Sequence, residues 1–169
     1  MDAKKFIQMQ IAAAWRSSDD VTSNLTDELL NWTPPGTANT ISATLAHILG
    51  GEDRFIQTLI QGKPRIFDVE NWGERIGVGV LPRPGTGWAE YRGQKLSVDA
   101  FKAYQEAVRA STNAYLETLS PEELERKVDF AGREVSVADV LALLVIHITE
   151  HSGEIAALKG IQGSKGLSM

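Results

Sequence analysis

The feature that most constrains this chain lies near its end, where VADVLALLVIHITEHSGEIAALK reads as one long helix over residues 137–159. Ser136 and Asp139 have the spacing of a capping box at its start, and Gly160 supplies a stop. From Val140 to Ile148 the segment is apolar nearly all round, so it demands burial on most of its circumference. A helix of that kind needs other helices around it. Two imidazoles, His147 and His151, stand four residues apart on the stripe that also carries Val140, Leu144, Glu154 and Leu158. That spacing places their Cβ atoms about 5–6 Å apart on one face.

The partners are legible in the remaining periodicity. Ile7, Ile11, Ala14, Ser18 and Val21 share a stripe on a first helix over 3–22, and TDELLNW adds a short turn before the Pro34, Pro35, Gly36 break. A second helix is capped by Asn39 or Thr40. It carries Ile41, Leu45, Ile48, Phe55 and Leu59 to about Gln61 and contains His47. A third begins near Ser97 and keeps its period through Phe101, Tyr104, Val108, Tyr115 and Leu119. Ser120, Pro121 and Glu123 then read as a second capping box opening a short helix, and DFAGREV as a tight turn with a little extended structure. With no convincing alternating strands and no repeat, the expected fold is all-α: an antiparallel four-helix bundle, one domain spanning 1–169.

Residues 62–97, between the second and third helices, have another texture, with seven glycines and three prolines around Trp72, Trp88 and Tyr91. A connection of this length is either a functional lid or mobile segment, or a surface loop whose tryptophans cover the bundle.

Composition narrows the chemistry. The chain has no cysteine, which removes disulfides, thiolate nucleophiles and thiolate metal ligands together, so any ion must be held by nitrogen or oxygen. The formal charge of −5, without a basic cluster, argues against nucleic acid. No signal-like start and no run of roughly 18 uninterrupted apolar residues is seen, so no membrane partner and a cytoplasmic setting are expected.

All three histidines lie on apolar faces of long helices. A buried neutral imidazole needs partners for both nitrogens, and an ion plus a hydrogen-bond acceptor supplies them. Gly50 and Gly51 follow His47 by three and four residues, and each mid-helix glycine costs about 1 kcal/mol relative to alanine. Either a space beside a ligand or close packing against a bulky neighbour such as Trp15 or Tyr104 accounts for them. The zincin pattern H-E-x-x-H is absent, because Ile148 follows His147 and the glutamate is Glu150. Glu154 is a candidate fourth ligand or a hydrogen-bond acceptor behind a ligating ring, or else a solvated charge at the bundle end. Asp53 and Arg54 read ordinarily as a solvated helix face.

In WTPPG, NTISATLAHILGGEDRF and VLALLVIHITEHSGEI the chain resembles the DinB-like (DinB/YfiT) superfamily over nearly its whole length. The resemblance implies an up-down-down-up bundle, a homodimer, and a histidine triad that falls here on His47, His147 and His151. It further implies a divalent metal cofactor and a small-molecule substrate, with thiol S-transferases and metal-dependent hydrolases among the relatives. Three neutral nitrogens leave a coordination position open, and zinc is the first choice, with nickel or another first-row ion also suited to imidazole. The expected function is a thiol-dependent S-transferase using a low-molecular-weight thiol on a small electrophile. The alternatives are a hydrolase, or a stress-related bundle with a structural metal site.

Overall fold

A computed structural model describes residues 2–167. The protein is mostly helical. Helix α1 (Ala3–Thr22) is capped by Asp2, whose side chain accepts the Lys5 N–H, and it buries Ile11, Ala14, Ser18 and Val21 as the stripe requires. A short α2 (Asp27–Asn31) is capped by Thr26. Thr40 caps α3 (Ile41–Asp53) by accepting the Ala43 N–H, which resolves the choice between it and Asn39.

The second long helix does not stay α-helical to its end. From Arg54 to Ile60 it widens into a π-helix, a form that recurs beside functional sites. Tyr104 donates from α6 (Val98–Glu117) to Asp53, and Gln57 reaches Ser111 of the same helix. The later long helix is α8 (Val137–Ile161), opened by a closed capping box in which Ser136 and Asp139 each accept the other's backbone N–H. It packs on both α1 and α3, and α3 packs on α6.

Contacts give the relative directions. Phe6 and Ile7 line a groove with Ala138 and Ile146, and Lys159 donates to the Val21 carbonyl, so α1 and α8 run parallel. Lys4 meets Glu117 and Asp19 meets Arg109, so α1 and α6 are antiparallel. By length and composition α8 is long and apolar enough to cross a membrane, a property it shares with the core helices of soluble proteins. Here Leu144, Ile148 and Ile155 are fully buried against its neighbours.

Two expectations need correction. The 62–97 connection is not a structureless loop: it holds α4 (Ile66–Val69), α5 (Trp72–Ile76) and a 3₁₀ turn at Ala89–Tyr91. It buries Phe67, Trp72, Ile76, Leu81, Tyr91 and Leu96, enough apolar surface to form part of the core rather than a cover. DFAGREV does hold a tight turn with extended flanks, but where no strands were expected those flanks pair as a hairpin, β1 (Lys127–Phe130) with β2 (Arg133–Ser136). Its two-residue turn, Ala131–Gly132, has positive φ at both positions, as a type I′ turn requires.

The predicted box at α7 (Pro121–Glu125) is only half made. Ser120 accepts the Glu123 N–H, but the Glu123 carboxylate takes bonds from Tyr115 and Arg126 instead. A charged partner and a phenol outcompete one backbone N–H.

Candidate metal centre

The three histidines converge. His47 projects from α3 and His147 and His151 from α8, with ring centroids 4.7 Å (47–147), 4.8 Å (47–151) and 4.8 Å (147–151) apart. One nitrogen from each lies within 4.8 Å of the other two. The triangle is nearly equilateral and half-buried, and it can hold a metal ion. Bonds of roughly 2.0–2.1 Å at tetrahedral angles put donor nitrogens about 3.3 Å apart. The Nε2 atoms of His47 and His147 are already 3.0 Å apart.

Two of the rings are fixed in the tautomer that an ion needs. His47 Nδ1 lies 2.8 Å from the Pro82 carbonyl, which can only accept, so the proton sits on Nδ1 and the Nε2 lone pair faces inward. His151 Nδ1 donates to Glu154 Oε2 at 2.8 Å, with the same result. Each ring thus has the outer acceptor that orients metal-ligating histidines. His147 has none: its Nδ1 is buried without a hydrogen-bond partner.

The double glycine is explained by the same triad. A Cβ on Gly51 would come within 2.5 Å of His147 Cε1 and 3.1 Å of its Nδ1, so the ring occupies the space that a side chain would fill. Gly50 serves a different neighbour, Leu81, whose Cδ1 would lie 2.8 Å from an added Cβ. The nearest neighbours are therefore not Trp15 or Tyr104: Gly51 makes room for a triad ring and Gly50 seats the long connection.

Burial sets the electrostatics. It pushes His147 down to about 3, with further lowering from the neighbouring His47 and His151. His47 is lowered too, chiefly by burial, against the opposing pull of the Pro82 carbonyl. Both stay neutral near pH 7; with the His47 proton on Nδ1, His147 Nε2–H donates to His47 Nε2, and that proton must leave Nε2 before His147 can ligate a cation.

The 62–97 connection reaches the centre directly. Besides supplying Pro82 and Leu81, it lays the Trp88 indole against His47, with centroids 4.7 Å apart. On the other flank Phe55, from the π-helix, meets His147 at 5.7 Å. Periodicity had no access to these neighbours, since a backbone carbonyl in an irregular segment leaves no mark in the sequence.

Asp53, read as part of a solvated face, is instead buried. Its Oδ1 accepts the Ile66 N–H, and its Oδ2 accepts from Phe67 N–H and the Tyr104 hydroxyl. It caps α4 rather than attending the triad. Arg54 is exposed, as expected of a solvated position.

A model of the DinB superfamily matches residues 10–155, the greater part of the chain and all three histidines. The chain belongs to the DinB superfamily. Solved structures share the fold. A conserved protein from Enterococcus faecalis is 16% identical, with a TM-score of 0.79 over 97% of this chain and 99% of that one. DinB-like proteins from Bacillus cereus and Bacillus subtilis are both 18% identical. The former has a TM-score of 0.64 over 96% of this chain and 95% of its own, and the latter 0.63 over 96% of each. No curated protein matches this member of the DinB superfamily in sequence.

Proposed function

We propose that this chain is a divalent-metal-dependent enzyme in which His47, His147 and His151 hold one ion, and that it transfers a low-molecular-weight thiol onto a small electrophile. The observation that carries this is the triangle itself: three half-buried rings from two helices, two of them locked with Nε2 inward, and a glycine cleared for the third. A buried structural histidine satisfies both nitrogens with its surroundings, whereas His47 and His151 use only Nδ1 that way and His147 Nδ1 has no partner.

Zinc is our first choice, with nickel or another first-row ion also suited to the donor set. Such an ion keeps a coordination position open and lowers the pKa of a bound water or thiol toward neutrality. The protein's part is to fix the ligands: Pro82 and Glu154 orient His47 and His151, Gly51 seats His147, and Trp88 shields one side of His47.

Thiol transfer is favoured over hydrolysis by where the carboxylates are committed. Glu154 orients His151 through Oε2, a bond that taking up a proton would weaken, while Glu52 is tied to Trp15 and Thr112, and Asp53 to α4 and Tyr104. Hydrolysis gains from a free general base near the ion, while a thiol whose pKa a bound ion would bring toward neutrality can give its proton to solvent without one.

The helix directions described above support the up-down-down-up arrangement. Exposed Phe6, Met9 and Ile146 support a homodimer, and a cytoplasmic setting completes the reading.

Cobalt(II) tests the central claim. The protein should bind one equivalent, and adding 2-mercaptoethanol should produce a sulfur-to-cobalt charge-transfer band. A 1:1 cobalt complex whose spectrum no thiol alters would refute thiol transfer, and no stoichiometric binding would refute the metal centre itself.

A further inference from the structure

Along the seam between α3 and α8, Thr44 stands one turn before His47 and Glu154 one turn after His151. Gly51 faces His147 while Thr44 shares a lining with Glu154, so the two helices run antiparallel and both residues lie at one level, about 4.5 Å beyond His47 and His151 along the helix axes. At that level an open cleft of about 300 Å³ is lined by Ala38, Asn39, Thr44, Glu154, Ala157 and Leu158. Its volume matches the lower end of small-molecule sites.

The rim of the cleft is held in place. Arg92 donates to the carbonyls of Gly36 and Ala38 at 2.8 Å each, tying the turn before α3 to the long connection that also supplies Pro82 and Trp88. Glu154 is the only charged residue in the lining, among three apolar ones and two neutral polar ones. Its bond to His151 engages Oε2, and a carboxylate has about four lone-pair sites, so acceptor capacity is left over. The side chain is 54% exposed, open to a ligand. Apolar walls beside a carboxylate strengthen its field relative to open water.

We propose that this cleft receives the positively charged end of a small ligand, an ammonium or quaternary ammonium paired with Glu154, whose other end reaches the triad. A spacer of about two carbons bridges a carboxylate one helical turn from the ligand-binding nitrogens. The assignment rests on the metal-centre reading for the triad end alone; the cleft and its charge stand without it.

Two measurements separate the parts. With cobalt(II) bound, thiocholine should bind more tightly than 2-mercaptoethanesulfonate, and Asn39→Lys should lower that preference by about tenfold, the effect fading at high salt. Using the change between wild type and variant cancels the intrinsic difference between the two thiols. An unchanged preference in Asn39→Lys would overturn the proposal even though the metal centre stood. Titrating the metal-free protein with thiocholine, followed by amide chemical shifts, tests the cleft without any ion. Shifts gathered at Ala38, Asn39, Thr44 and Ala157 are expected. If these amides stay still while the ligand reaches tens of millimolar, the cleft is not its site, whatever the cobalt result.

Discussion

Two clusters of buried polar groups project from α3, and the fold completes one and leaves the other incomplete. Around Glu52 and Asp53 every carboxylate oxygen has a donor: Thr112 and Trp15 for Glu52, the first N–H groups of α4 and the Tyr104 hydroxyl for Asp53. Around His47 and His147 the rings have one another, and His147 Nδ1 has nothing. A saturated network fixes the register of α1, α3, α4 and α6 and has no capacity for a ligand. An unsaturated, convergent one has capacity by construction. On α3 only four residues, 48–51, separate His47 from Glu52, and the last of them, Gly51, makes room for the His147 ring.

The sharpest way to break this contrast is to remove a ring. His147→Ala should weaken metal binding by more than about 100-fold, since losing even an outer partner of a ligand costs roughly 10–100-fold. Helical circular dichroism should survive, because the Glu52 and Asp53 network and the apolar core do not depend on the ring. A variant that fails to fold would make the histidines structural and erase the distinction between the clusters.

A subtler test adds a methyl group. Gly51→Ala puts a Cβ where the His147 ring now lies and should reduce metal affinity roughly tenfold or more, by the same ligand-orientation reasoning. Gly153 in α8 has nothing within 4 Å of an added Cβ, so Gly153→Ala should raise helix stability by about 1 kcal/mol with metal affinity unchanged. Equal metal affinities in the two alanine variants, read by calorimetric titration, would show that Gly51 does not seat the ligand.

The smallest effect concerns pH. Burial holds the Glu52 carboxyl above its usual range, although its bonds from Thr112 and Trp15 lower it. A carboxyl raised in the folded state contributes stability that is fully present below its unfolded pKa and is lost as pH rises through its folded value. His147, depressed to about 3, acts in the opposite sense: its contribution is present above about 6.5 and is lost as pH falls toward 3. Denaturant titrations of metal-free Glu52→Gln should therefore show the variant gaining on wild type as pH rises. A pH-independent difference would mean that Glu52 is ionised in both states.

Much of this molecule was legible in one dimension. The long helices, a cap at Asn39 or Thr40 and the Ser136–Asp139 box follow from period and capping chemistry, which act within a few residues, and the structure chose Thr40. The pairing of His147 with His151 is a property of one helix and needed no tertiary information. What escaped were features whose partners are distant. The fate of Glu123 depended on Tyr115 and Arg126 competing for its carboxylate, and the burial of Asp53 on α4 forming above it. The two glycines had a visible cost but no visible beneficiary until Leu81 and His147 were in place.

The sequence by itself therefore determined the helices, their apolar faces and the three histidines on them, because local hydrogen bonding and hydrophobic period are written in neighbouring residues. Only the tertiary structure decided that the imidazoles meet, that Pro82 and Glu154 turn two of them inward, and that an irregular segment with short helices walls the site. Those outcomes depend on contacts between residues as far as one hundred positions apart, such as His47 and His147, and packing geometry, not periodicity, brings such residues together.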